Sequence, residues 1–516
     1  MHQFPDANLL PFATAYQRPS GFATPIYRQS PRPRSGRLSV CAIEIMKSLV
    51  QSKAGVQAPA GKAWLAPVCA AAAVLFLILL GLDLRRSHGN TFSVFYFAAK
   101  AIATGGNIYI SHSPGSDRHE YVYPPLFAVL VLPLTYFKVA TATRIWTFID
   151  ACLTILALIL GSIEAARRFH IPATRATVSS IVAVSMLLGI GEIKTELATS
   201  QTDTLVLICF VLALAWLDQW PLLCGLALGF SCNIKYQTLI ALPYLLLTRR
   251  WKAAASAAIS SVSFALLPGL LVGFGRNIEY LRSALGGLGH FAGIDAQGAA
   301  STVSLTWIRS VSITSAIGRA LATCGISSCH AFLLAALVAL VCFGVARQLY
   351  RQHGIAMFPT GPSISHGINP MEGLVALEWT GLMVVWLVFG PEVSRRHMYV
   401  LLLMDVIAVA LLIASRGRQR WVLIAGMLLC QAGLRIPSGT GSGSLTDAFN
   451  WAGGASWCLL GFYGTLLYSC FVWFRSLSAS PISEAAAAIQ IRSGSDWRVQ
   501  GLSGIEHPAT LAARPD

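Results

Sequence analysis

The sequence predicts an all-α, polytopic integral membrane protein with about twelve transmembrane helices plus one short or re-entrant segment. Three observations carry this reading. Hydrophobic residues make up 55% of the 516 residues and charged residues only 12%, roughly half the charged fraction of a soluble domain. Apolar runs of spanning or near-spanning length recur at 63–82, 145–166, 178–190, 205–217, 222–234, 238–247, 253–274, 331–346, 374–389, 399–414, 422–434 and 457–474. Basic residues gather in the short connections between them, at Arg167-Arg168, Arg249-Arg250-Trp251-Lys252, 347–351 and 416–420. Loops of that kind are retained on the cytoplasmic side, so the net charge of +16 reads as a topology signal and not as a nucleic-acid surface.

Taken from the N-terminus, residues 1–61 form a basic tail rich in Pro, Ser, Gln and Arg. It lacks the apolar surface to fold alone and is expected to be disordered. Met46-Lys47 offers an alternative start. The extreme N-terminus carries no signal peptide, so 63–82 is expected to stay as an uncleaved anchor. A transmembrane domain over 62–476 follows, and a second polar tail, 477–516, is expected to be disordered as well. Both termini are placed in the cytoplasm. The first helix then delivers 83–123 to the outer face as a loop of about forty residues, too long for a simple connector. Within it, 92–102 mixes aromatic and small residues, as a helix lying in the interface does, and Gly105-Gly106 ends it.

The segment 124–137 opens with Tyr123-Pro124-Pro125, an extended approach to a helix start. Were it to cross fully, Arg167-Arg168 and Arg175 would fall outside, against the charge rule; a short or re-entrant segment keeps them inside. The remaining loops then agree, with Arg249 to Lys252 inside, 276–312 outside, 347–351 inside, 391–397 outside and 416–420 inside. This topology requires 221–247 to form two short or broken passes meeting near Lys235. Such breaks are tolerated at membrane depth only where they are buried or line a cavity. It also brings four polar groups to the outer side: 117–123, Gln201 with Asp203, Lys235, and Arg395-Arg396-His397. Ionisable groups at the ends of apolar segments are costly and by default functional. Most of the twelve cysteines lie inside apolar segments, where a thiol is a small hydrophobe. Cys324 and Cys329 are either a disulfide or packing residues, and no metal-ligand spacing is present.

Four blocks occur in a telling order. They are 92–100 followed by Gly105-Gly106-Asn107-Ile108-Tyr109; Tyr121-Val122-Tyr123-Pro124-Pro125-Leu126 with Leu132-Pro133-Leu134; Ser200-Gln201-Thr202-Asp203 through Gly225 and Lys235 to Arg249-Arg250-Trp251; and Arg395-Arg396-His397-Met398-Tyr399-Val400. Together they resemble glycosyltransferase family 87, membrane enzymes of the GT-C type that include polyprenol-phosphate-mannose-dependent mannosyltransferases. The similarity spans roughly 61–414. It implies a GT-C-like fold that transfers a hexose, mannose-like, from a polyprenyl-phosphate-linked sugar to a lipid or glycan acceptor. The implied place is the outer face of a plasma (inner) membrane, among membrane lipids, with no cofactor and no metal.

Three positions depart from the family pattern. The aspartate that introduces the aromatic block, proposed in the family as the catalytic base, is Thr91 here. The glycine before Gln201 is Ser200, and the asparagine often found in the large outer loop is replaced around 301–305. A threonine hydroxyl cannot act as a base at neutral pH, so the alternative is a non-catalytic relative that binds or translocates a lipid-linked sugar. A transporter of another class is disfavoured, because no internal repeat is visible.

Sugar transfer from a lipid phosphate needs a base for the acceptor hydroxyl, groups that hold the departing phosphate and a route for the lipid tail. Candidate bases are Asp117, His119 and Glu120 beside the Pro-Pro turn, with Asp83 at the end of the first helix; the competing reading is a solvated loop. Candidate phosphate ligands are His397, Arg395 and Arg396 at a helix start, together with Lys235. Their bland alternatives are headgroup anchoring for the arginines and snorkelling for the lysine. Gln201 and Asp203 are candidate sugar or acceptor ligands, partners of Lys235, or caps of the following helix. Tyr96 and Tyr123 complete that set, and Glu192, Lys194 and Glu196 could line the same cavity. Gly225 and Gly229, four apart, read as a helix-packing pair.

Overall fold

Apolar runs become helices here, and Pro, Gly or a polar break ends them. The computed structural model describes residues 65–85, 91–110, 121–290, 304–360, 371–391, 393–436 and 445–478. Asp117, His119, Glu120 and both tails lie outside them. Among the described residues there is no strand.

The first membrane helix, α1 (Leu65–Arg85), is followed by the aromatic α2 (Phe92–Ala103). Paired prolines then start the short α3 (Pro125–Val131), which tightens into a 3-10 turn at Leu132–Tyr136. The longest helix, α4 (Val139–Arg168), has 30 residues, about 45 Å at 1.5 Å per residue. Next come α5 (Arg175–Leu188) and α6 (Ile190–Thr199), bent by 71° at Gly189, where any Cβ would run into Leu402. After the polar turn at 200–202 follow α7 (Asp203–Trp216) and α8 (Pro221–Cys232). A 3-10 turn at Tyr236–Ile240 leads into α9 (Ala241–Leu247), and α10 (Trp251–Leu266), α11 (Gly269–Val272) and α12 (Phe274–His290) follow. The C-terminal part comprises α13 (Ile313–Thr323), α14 (Ala331–Gln352) and α15 (Met371–Phe389). A 3-10 turn at Arg395–Leu401 then runs into α16 (Leu402–Ala414), before α17 (Arg418–Arg435), α18 (Leu445–Trp451) and α19 (Gly454–Ser478).

An ion-pair network marks one side of the bundle. The fully buried Arg168 reaches Glu164 at 2.5 Å and Asp218 at 3.4 Å, and Arg250 pairs with the same Asp218. Arg167 bridges Glu164 at 2.7 Å and Glu372 at 3.2 Å. The end of α4, the α7–α8 connection and the starts of α10 and α15 therefore share one side, which puts Arg167-Arg168 level with Arg250. Earlier in the chain, α3 with its 3-10 turn makes only a short apolar helix. Its two ends are tied to α2 and the loop after it, by the Tyr109 hydroxyl donating to the Tyr123 carbonyl (3.0 Å) and the Tyr96 hydroxyl donating to the Phe137 carbonyl (2.8 Å).

Among the described residues, seven helices are long and apolar enough to cross a membrane. The bent α5–α6 pair, taken as one span, makes eight, against the twelve expected; α7, α8 and the 236–247 segment are apolar but too short to count as full spans. The hairpin over 221–247 leaves the level of Asp218, breaks at Lys235 and returns to Arg250. It is held against α10 through Gly225 and Gly229, where a Cβ would lie 2.5 Å from the Ala257 nitrogen and 2.6 Å from the Ser261 nitrogen respectively. Such backbone-to-backbone approach is what small residues provide between membrane helices. Cys324 and Cys329 are free thiols.

Candidate active site

The polar turn between α6 and α7 is the foundation of the site. Ser200 ends α6 with φ at +49°, the left-handed region that favours glycine. Its hydroxyl compensates, lying 2.8 Å from Thr147 Oγ1 on α4 and donating to the Leu197 carbonyl at 3.2 Å. The turn presents Gln201, whose carbonyl accepts the Trp146 indole N–H at 3.0 Å. Trp146 in turn stacks on Phe92 at 6.0 Å and meets Phe127 edge-on at 5.3 Å. The first turn of α2 and the body of α3 thus form one wall of the Gln201 region. Thr91, at the N-cap of α2 and without a side-chain cap bond, sits at the edge of that wall.

At the break between α8 and α9, Lys235 has an extended backbone (φ −146°, ψ 133°). Its Nζ lies 2.7 Å from Asp203 Oδ2, with the side chains 5% and 0% exposed, and 5.7 Å from the centre of the Tyr123 ring. A buried ammonium requires a partner, and this lysine finds it inward instead of snorkelling. Asp203 is the first residue of α7 while Thr202 is its N-cap and makes no side-chain cap bond, so the pair, not capping, is what Asp203 serves.

Behind Asp203 lie two further carboxylates. Asp150 of α4 faces Asp203 and Thr204. Glu196 of α6 accepts the Thr204 backbone N–H at 3.3 Å and faces Asp203, Asp150 and Lys235. Both are fully buried. Tyr399, bonded to Thr154 at 2.6 Å, closes this rear side next to Asp150 and Glu196. The opposite side holds His397, near Lys235, Asp203 and Arg396. Its Nδ1 accepts the Ser394 N–H at 3.2 Å, which leaves Nε2–H as a donor.

Counting residues along the helices fixes the depth. Asp203 to Asp218 along α7, and Asp150 to Arg168 along α4, place the cluster about 20–27 Å from the ion-pair network. Against a hydrocarbon core of about 30 Å, that is close to the opposite interface.

Ten of the nineteen buried side-chain polar atoms that lack a well-directed hydrogen bond, among the described residues, belong to Asp150, Glu196, the run 201–204, Lys235 and Gln237. Asp203 and Lys235 are nonetheless partnered, as an ion pair at 2.7 Å, and Asp150 interacts with the Thr204 side chain. Buried polar groups are normally satisfied, and so dense a group of exceptions marks a place that polar substrate atoms can complete.

The structure therefore brings together Gln201, Asp203, Lys235, His397, Arg396 and Tyr123. Arg395 is engaged elsewhere, donating to the Leu434 carbonyl at 3.1 Å and to Asn450 Oδ1 at 2.9 Å. Tyr96 spends its hydroxyl on the Phe137 carbonyl. Asp83 is buried near the end of α1, and Glu192 faces Arg435 and Arg395. Around the Pro-Pro turn, burial pushes the Tyr109 and Tyr121 phenols well above their ordinary range, so both are donors and not bases. No group of three or more metal-ligating side chains forms among the described residues. Sequence reasoning missed Asp150, although a carboxylate inside the apolar 145–166 run was a signal of the same kind as Lys235. Trp146 and Thr204 gave no such signal.

The model of glycosyltransferase family 87 matches residues 121–359. Thr91 and the Arg395–His397 turn fall outside the match, and the Tyr-Pro-Pro turn and the 201–235 block fall inside it. Among curated proteins, a polyprenol-phosphate-mannose-dependent alpha-(1-2)-phosphatidylinositol mannoside mannosyltransferase of Mycobacterium tuberculosis is 26% identical over 219 residues, covering 39% of this chain and 51% of that protein. An alpha-(1->3)-arabinofuranosyltransferase of the same organism is 28% identical over 191 residues, covering 34% and 41%. The chain spans about half the length, or less, of these relatives. No solved structure matches it. The stretch that matches glycosyltransferase family 87, residues 121–359, carries Gln201, Asp203 and Lys235.

Proposed function

We propose that this chain is a membrane glycosyltransferase that moves a hexose from a polyprenyl-phosphate donor to a lipid or glycan acceptor at the membrane face opposite the ion-pair network. The observation that carries the proposal is the buried Lys235–Asp203 ion pair beside Gln201, whose Oε1 has no hydrogen-bond partner, in the region that matches the family. A buried cluster with one ammonium, an imidazole N–H and a guanidinium fits a phosphate being released, because each interaction strengthens as charge builds on the leaving oxygen. In this reading Lys235, His397 and Arg396 hold the phosphate, while Gln201 and Tyr123 hold sugar or acceptor hydroxyls. Arg395 supports the His397 turn from behind. In this reading the basic side is cytoplasmic, as the charge rule favours, the site faces the outside of a plasma membrane and both termini are inside.

The two relatives are named for different sugars, mannose and arabinofuranose, so the donor sugar is the first quantity to measure. The test is transfer by the purified chain in nanodiscs, from a panel of polyprenyl-phosphate sugars to mixed lipid and glycan acceptors, in wild type and His397→Ala. Donor-dependent product that falls at least tenfold in the variant supports the reading. Thr91 favours a second one, in which a relative without a base only binds or moves the lipid-linked sugar. Donor binding with no product from any sugar in the panel selects it.

A further inference from the structure

We infer that Asp203 is the base for the acceptor hydroxyl, held in reserve by Lys235 until the donor phosphate draws that ammonium away. The inference rests on the transfer reading above and names its proton acceptor. Thr91 occupies the position where the family pattern has a carboxylate, so the chemistry requires another one. Three are buried at the site. Glu196 already accepts the Thr204 N–H, and Asp150 and Glu196 sit on the rear side with Tyr399. Glu196 also faces Lys235, but Asp203 is the carboxylate in contact with it, at 2.7 Å, and beside His397, next in line to Gln201 with its unpartnered Oε1.

The charges balance through the step. The bound sugar donor is a phosphodiester with one negative charge, and the lysine's charge is shared between it and Asp203. As the acceptor O–H proton passes to the Asp203 carboxylate, the acceptor oxygen bonds to the anomeric carbon and the carbon–oxygen bond to phosphate breaks. The electron pair leaves on the phosphate, which gains a second negative charge. Asp203, now neutral, no longer holds the ammonium, and Lys235 turns wholly to the leaving group. The lysine's attraction thus grows where and when charge develops, which is the condition for lowering a barrier.

The experiment uses the full chain in nanodiscs and measures two quantities. One is transfer from whichever polyprenyl-phosphate sugar the wild type accepts; the other is the affinity for plain polyprenyl phosphate. Asp203→Asn is expected to cut transfer by about a hundredfold or more, the scale of a lost general base. It should also bind polyprenyl phosphate at least about threefold tighter, because the competitor for Lys235 is gone; a purely structural residue would not tighten binding. Lys235→Gln should weaken that binding by about tenfold or more. Transfer by Asp203→Asn within tenfold of wild type, or weaker phosphate binding, overturns the inference. Should that variant not survive purification, Asp203→Glu decides: transfer at least tenfold down with phosphate affinity kept supports the inference, and wild-type turnover overturns it. If the wild type transfers no sugar at all, the transfer reading fails by itself. The phosphate arm still judges the exchange, with tighter binding supporting it and unchanged binding overturning it.

Discussion

Lys235→Met removes the ammonium that faces Asp203 at 2.7 Å and leaves that carboxylate, 0% exposed, without a cationic neighbour at contact distance. Breaking a buried pair by deleting one partner costs about 3–5 kcal/mol. Here the upper half of that range is expected, because Glu196 also faces Lys235 and loses the same counter-charge. At roughly 2 °C per kcal/mol for a large chain, the unfolding midpoint should fall by roughly 8–10 °C. Asp203→Asn should cost less, since the remaining ammonium can still turn to Glu196. The double variant Lys235→Met with Asp203→Asn should recover most of the loss, because two neutral groups replace two charges, and the difference measures the pair's coupling. The assay is thermal unfolding in one detergent at a fixed scan rate, as membrane-protein unfolding is commonly irreversible. Equal midpoints for Lys235→Met and wild type, or a double variant as unstable as the sum of the singles, would refute the claim that these groups form one buried pair.

Gly229→Val should destabilise the contact of α8 with α10 by about 1–3 kcal/mol, because any Cβ there meets the Ser261 nitrogen at 2.6 Å; lower detergent thermostability with Gly461→Ala unaffected is the check, since nothing surrounds Gly461 within 4 Å. Trp146→Phe keeps the stack on Phe92 but removes the N–H bonded to the Gln201 carbonyl; transfer should fall by about tenfold with a stability loss near 1 kcal/mol, measured by turnover and thermal shift together. Burial raises the Tyr109 and Tyr121 phenols, so above pH ~10 the unfolded chain releases protons that the folded chain keeps. Stability should then drop as pH rises past 10, and Tyr109→Phe should flatten that drop in midpoints measured from pH 8 to 11.

Much of this site was legible because a membrane penalises charge so heavily that any ionisable group left in an apolar segment stands out. Gln201, Asp203 and Lys235 were found that way, and the break at Lys235 followed from charge counting in the loops. The same rule applied to 145–166 points to Asp150. What sequence could not give is which charges meet. Arg395 and Arg396 are adjacent and chemically identical, yet one reaches Asn450 and Leu434 while the other stays beside His397. That division depends on how α17 and α18 pack against the turn, a tertiary fact with no local signature. The depth of 124–137 was similarly open between a full and a partial crossing. In the structure it is a short helix with its two ends tied to Tyr109 and Tyr96.

The serine at position 200 has a consequence for motion. A glycine in the left-handed conformation can leave it at little cost and so makes a hinge, whereas Ser200 is bolted through its hydroxyl to Thr147 on the longest helix of the bundle. The turn bearing Gln201 and Asp203 is thereby a fixed jaw. A lipid-borne substrate has to be admitted by the other jaw, the α2–α3 wall or the His397 turn, and spin labels across the site should record displacement there while the 200–203 side stays still.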